Sequence, residues 1–177
     1  MKLSEGEKLI LVMLAGLYKK LGIKDDIDPD LVLASVLDDK TWGLRWKYQW
    51  LGNGEANPPE VDETVRILNM YRAITSSLHH LSPQEQARVQ AETAPFSGYL
   101  KFQGFDANND DHYGVVHYLV RDLGRFSELG DSYQINSHSS GTLLTYRRML
   151  EVLEKHGHER RTELTADELI EVVRAGR

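Results

Sequence analysis

The sequence predicts an all-α, multihelical protein of about seven to eight helices, and three observations carry that expectation. Apolar residues recur at helical spacing along most of the chain. Three Ser/Thr-x-x-Glu capping boxes mark helix starts, two of them ahead of apolar-periodic segments. Strand signals are confined to one short aromatic stretch, residues 96–106. A chain of 177 residues accommodates one domain, or two closely packed helical subdomains with candidate spans 1–81 and 82–177.

The first helix is expected over about residues 5 to 21. Ser4 and Glu7 form its capping box, Leu9, Ile10, Met13, Leu14, Leu17, Tyr18 and Leu21 keep the helical rhythm, and Gly22 supplies the left-handed stop. Asp28-Pro29 is a second start, a capping carboxylate ahead of proline at N1, followed by Leu31, Val32, Ala34, Val36 and Leu37. Thr41 to Leu51 reads as a third helix and holds all three tryptophans, Trp42, Trp46 and Trp50. Gly52-Asn53-Gly54 and Pro58-Pro59 mark a loop.

The longest helix should run from Pro59 to His80, with a buried stripe of Val61, Val65, Leu68, Tyr71 or the Arg72 stem, Ile74 and Leu78. Ser82-Pro83 with Glu85 starts a polar helix that ends near Ala94-Pro95. Residues 96–106, with Phe96, Tyr99, Phe102 and Phe105, read as an extended turn or short strand. Asn108 or Asn109 then caps a helix through Tyr113, Val116, His117, Val120 and Leu123. Gly130 to Gly141 reads as a polar loop. Leu143 to Leu153 forms a further helix stopped at Gly157, and Thr165 with Glu168 opens the last one, with Leu164 and Leu169 as its hydrophobic staple.

Composition bounds the function. There is no cysteine, which excludes a thiol nucleophile, an iron–sulfur cluster and a Cys-type zinc site and gives no reason for an oxidising compartment. No apolar run reaches the roughly 20 residues of a membrane span, and acidic Glu5 and Glu7 oppose a signal peptide, so the cytoplasm is the expected setting. Net charge is −6, and no third of the chain is basic: residues 1–60 carry 8 basic and 10 acidic side chains, 61–140 carry 6 and 10, and 141–177 carry 7 and 7. That balance disfavours nucleic acid as a partner.

Chemistry-bearing patterns are sparse. Asp106, Asn108 and Asp110 match the first EF-hand ligand positions, but Asp111 takes the glycine position and His117 that of the bidentate glutamate. His112 and His117 are five residues apart, one off the helical metal-pair spacing, so no metal site is expected, and no cofactor. Ser132, Ser137, Ser139 and Ser140 lie near His138 without a nucleophile elbow, and no Walker loop is present. Arg121, Arg125, Arg147 and Arg148 are anion-binding candidates, against internal pairing with Asp106, Asp122 or Glu151. The three tryptophans, four residues apart, suit either a core stripe or an oligomer interface.

Several segments together resemble the YfbU family of bacterial proteins. They are Phe102-Gln103-Gly104-Phe105-Asp106, Tyr113, Tyr118, Arg125-Phe126, Asn136, Tyr146-Arg147-Arg148-Met149-Leu150, and the ending Leu164 to Ile170. Lys8 to Leu11 and Leu68 to Ala73 fit more loosely, while residues 25–30 and 52–59 depart. The resemblance implies a multihelical fold, a bacterial cytoplasmic setting and self-association, and no activity. Two functions are compatible with the sequence. The first is a self-associating interaction or regulatory protein without catalysis, with Trp42, Trp46 and Trp50 as candidate interface. The second is a small-molecule or nucleotide-binding enzyme, with Phe102, Phe105, Asp106, Tyr113, Arg125, Tyr146 and Arg147 as candidate ligand-binding residues.

Overall fold

The structure is a computed structural model, and it describes residues 2–52, 55–129, 135–139, 141–157 and 163–177. Among these the chain is all-helical: α1 (Glu5–Leu21), α2 (Pro29–Leu37), α3 (Thr41–Lys47), α4 (Pro59–His80), α5 (Pro83–Glu92), α6 (Asp111–Arg121), α7 (Thr142–Lys155) and α8 (Ala166–Arg174). Three 3-10 turns join them, at Gln49–Leu51, Phe96–Leu100 and Ser127–Leu129. The described residues hold no sheet, only an isolated parallel bridge between Phe105 and Asn136. Ser132, Ser140 and His158, together with Asn53, Gly54 and Gly130, lie outside the described residues.

The backbone divides into two compact units. The first comprises Met1–Asn57 with Arg121–Arg125, and the second Pro58–Val120 with Phe126–Arg177. In the first unit α1 packs on α2, and α2 on α3. The helix starts are where their caps put them. Glu7 N–H donates to Ser4 Oγ at 3.3 Å while Ser4 N–H donates to the Glu7 carboxylate at 2.7 Å. Asp28 Oδ1 accepts from the amides of Asp30 and Leu31, two donors that the first turn of α2 would otherwise leave unsatisfied. Gly22 closes α1 in the left-handed region at φ +64. The Asp28 amide donates to Tyr48 Oη at 2.7 Å and ties the start of α2 to the end of α3.

The single expected helix over residues 41–51 is instead α3 to Lys47 and a separate 3-10 turn from Gln49, with Tyr48 at φ −111, ψ 84 between them. Buried Tyr48, held by its hydroxyl to α2, takes the chain out of helical geometry there.

The second unit is built on α4. It packs against α7, and α8 lies on both α5 and α7. The buried positions of α4 include Val61, Thr64, Ile67, Leu68, Met70, Tyr71, Ile74 and Ser77. Thr64 and Ser77 take places where the pattern suggested Val65 and Leu78. Both hydroxyls satisfy themselves by donating to the carbonyl four residues back, Glu60 and Ala73. Ser77 Oγ also accepts the Leu164 amide at 2.7 Å, fixing the approach to α8. The segment 96–100 expected to be extended winds as a 3-10 turn, and extended backbone follows it only from Lys101.

Candidate functional site

The aromatic turn after that 3-10 segment is the first candidate. Phe102, Phe105, Tyr71 and Tyr146 form one cluster, with ring centroids 5.3–5.8 Å apart and mostly edge-to-face. Phe105 and Tyr146 are fully buried and Phe102 nearly so. Tyr146 Oη donates to Gly104 O at 3.0 Å and accepts the Gln103 amide at 2.9 Å, so both hydrogen-bonding functions of the phenol serve the turn's backbone. Burial pushes the Tyr71 and Tyr146 phenols up, so neither is a ready proton donor or nucleophile at neutral pH. Gly104 sits at φ +84, and a Cβ there would fall 2.3 Å from the Ile135 carbonyl carbon. That closeness admits the bridge in which the Phe105 amide donates to Ile135 O and the Ser137 amide to Phe105 O, both at 2.9 Å.

Asp106 follows as a turn former. Its Oδ1 accepts the Asn108 amide at 2.9 Å and its Oδ2 the Asn109 side-chain amide at 2.7 Å, and these bonds hold the carboxyl below its usual range. Tyr113 is half-buried, its ring 6.2 Å from that of His117. Arg147 forks onto Glu63, with Nε and Nη2 each donating to one carboxylate oxygen at 2.8 Å. Glu63 also meets buried His112 Nε2 at 2.7 Å, where the nitrogen must be the donor because a carboxylate only accepts. The Arg147 bonds lead in lowering Glu63 to about 2, burial opposes them, and His112 adds to the lowering. Of the seven candidate ligand residues, six lie in the second unit, whereas Arg125 belongs to the first. Its guanidinium there stands 5.2 Å from the Trp46 ring. Arg148 donates to the Arg177 carbonyl. Among the described residues no group of three or more His, Asp or Glu side chains is placed to hold a metal ion.

The second candidate is the first unit's apolar surface. Trp42 is buried and packs edge-on against half-buried Trp46 at 5.2 Å, but Trp50 is 72% exposed. The break in the helix at Tyr48 separates Trp50 from the other two. Along α1, Lys8, Leu11, Val12, Ala15 and Tyr18 form the covered side. The opposite side presents Leu9, Ile10, Met13, Leu14, Leu17 and Leu21, each between 49% and 70% exposed. At roughly 100 Å² apiece these six side chains expose on the order of 600 Å², the top of the range for the largest apolar patch on an ordinary monomer. Leu14 also lines, with Leu11, Tyr18, Val32, Tyr48 and Trp50, an almost wholly apolar cavity of about 260 Å³.

The spacing of the tryptophans points to this unit, while the exposed face of α1 is not among the surfaces expected from the sequence. The signal was available: residues 9–14 are six consecutive apolar side chains, more than one turn and a half of helix, and such a run cannot turn to one side only.

A model of the YfbU domain matches residues 1–175 of the chain. No curated protein matches it.

Proposed function

The chain belongs to the YfbU family, and on that footing we propose that it is a self-associating interaction protein of the bacterial cytoplasm that works without catalysis. The observation that carries this is the open face of α1. Six aliphatic side chains at 49–70% exposure lose favourable burial in a lone chain, and covering them is worth about 25 cal/mol per Å² before the costs of association. Exposed Trp50 and Leu51 extend the same unit's apolar surface, so of the three tryptophans we assign Trp50 to the contact. The cytoplasmic setting rests on the family and on a cysteine-free composition.

The ligand-binding reading of Phe102, Phe105, Asp106, Tyr113, Arg125, Tyr146 and Arg147 has less support. Tyr146, Arg147 and Asp106 already spend their polar atoms within the chain. Light scattering on the chromatographed protein tests the preferred reading. We expect a mass that is a multiple of the 20.2 kDa chain at micromolar concentration. A 20.2 kDa species throughout that range ends it.

A further inference from the structure

We propose that α1 docks on α1 of a second copy, antiparallel, about a two-fold axis passing near Met13; this rests on the self-association reading above and specifies its geometry. Two features of the helix select the occupant. The first is area. Roughly 600 Å² of apolar side chain from α1 approaches the ~800 Å² that each partner of a standard interface contributes, and Trp50 and Leu51 supply further apolar surface. The second is charge. The first turn carries Glu5 and Glu7, the last carries Lys19 and Lys20, and between Lys8 and Lys19 there is no ionisable side chain except the Tyr18 phenol. Such a helix is complementary to itself when reversed. The acidic turn of one copy meets the basic turn of the other, and the two helix dipoles oppose. A parallel arrangement sets Glu5 and Glu7 against their own copies at one end and the lysines against theirs at the other.

The register follows from the stripe. Centring the pair on Met13, the midpoint of Glu5–Leu21, places Leu9 opposite Leu17, Glu7 opposite Lys19 and Met13 opposite its own counterpart. Gly16, whose missing Cβ leaves open space, comes opposite Ile10. Residue i of one copy contacts residue j of the other and the reverse, as a two-fold interface requires. Other occupants fit less well. An anionic membrane surface attracts a helix whose polar flanks are basic, whereas this one carries Glu5 and Glu7 beside its three lysines, Lys8, Lys19 and Lys20.

The absence of cysteine makes the test direct. Met13→Cys, Leu21→Cys and, as an exposed control off the helix, Leu37→Cys are each oxidised at micromolar concentration, and native mass is measured alongside. The expected result is a covalent dimer from Met13→Cys at the axis. Leu21→Cys should stay at the Leu37→Cys level, because in the antiparallel pair its sulfurs stand about 24 Å apart along the helices. Leu17→Glu should reduce the oligomer mass to that of one chain, with the helical circular dichroism unchanged. Crosslinking of both α1 positions means a parallel pair and overturns the proposal. A dimer that survives Leu17→Glu and crosslinks at neither position overturns it too, while leaving self-association standing. A monomeric wild type overturns both, whether or not it binds phosphatidylglycerol vesicles through α1.

Discussion

Tyr146 and Gly104 carry more of the second unit than their neighbours. The phenol of Tyr146 is the acceptor for Gln103 N–H and the donor to Gly104 O. Tyr146→Phe leaves both backbone groups without that partner at nearly unchanged volume, so urea unfolding should register a loss of about 1–2 kcal/mol. Gly104→Ala should cost more, about 3 kcal/mol or above, since the new methyl collides with Ile135 backbone and the residue keeps positive φ. Gly98→Ala, with open space around it, is the near-neutral comparison. If Gly98 and Gly104 respond alike, the close approach at Ile135 is not what holds the turn. Glu63 adds a pH dependence of defined sign. Its carboxyl, lowered to about 2 by Arg147 and His112, stabilises the fold wherever it is ionised in both states, and that contribution is lost as pH falls from the ordinary carboxylate range toward 2. The shift corresponds to no more than about 3 kcal/mol. Glu63→Gln should therefore destabilise the protein at pH 7, by less at pH 3, and approach wild type only near pH 2. A constant difference across these pH values would mean that the Arg147–Glu63–His112 contacts contribute by shape alone.

Helix ends are the elements whose sequence signals translate most directly into structure, because a cap is local. The three capping boxes, the Asp28-Pro29 start and the Gly22 stop all stand at their expected residues. At α8 the box is worth testing, since the helix is only nine residues long and buries Leu169, Ile170, Val172 and Val173. Thr165→Ala should cost about 1 kcal/mol in thermal or urea unfolding. Thr165→Ser keeps the hydroxyl and should cost little, so equal losses from the two would assign the effect to the methyl instead. Legibility ends where a side chain's surroundings come from far along the chain. Trp42, Trp46 and Trp50 keep helical spacing, but the Tyr48–Asp28 hydrogen bond spans 20 residues and breaks the helix between the second and third. Ser77 displaces Leu78 from the core because it receives an amide from Leu164, 87 residues away. Neither partner is written in the local pattern. The α1 face was half legible: the run of six apolar residues announces two apolar sides, whereas which side its own unit covers depends on where α2 packs.

The two units differ in how much they bury, and that difference reaches the behaviour of the whole chain. Among the described residues the first unit contributes six buried apolar side chains, Ala15, Leu31, Val36, Trp42, Leu44 and Tyr48, against 26 in the second. A unit of some sixty residues with so small an interior is marginal by itself, because the surface buried falls with size while the backbone entropy per residue does not. Among the described residues, six of its ten exposed large apolar side chains are on α1, the helix proposed to face a second copy. Its stability should then depend on protein concentration, while that of the second unit, with its own core around α4, should not. The tryptophans make the distinction measurable, since all three lie in the first unit while, among the described residues, five of the eight helices start in the second. In urea, tryptophan fluorescence should report an earlier midpoint than far-ultraviolet circular dichroism, and the fluorescence midpoint should rise with protein concentration while the later dichroism phase stays fixed. Leu17→Glu should remove the concentration dependence and leave the early midpoint at its dilute value. Coincident transitions that ignore concentration would show that the first unit needs no second copy, and the open face of α1 would then have no bearing on the chain's stability.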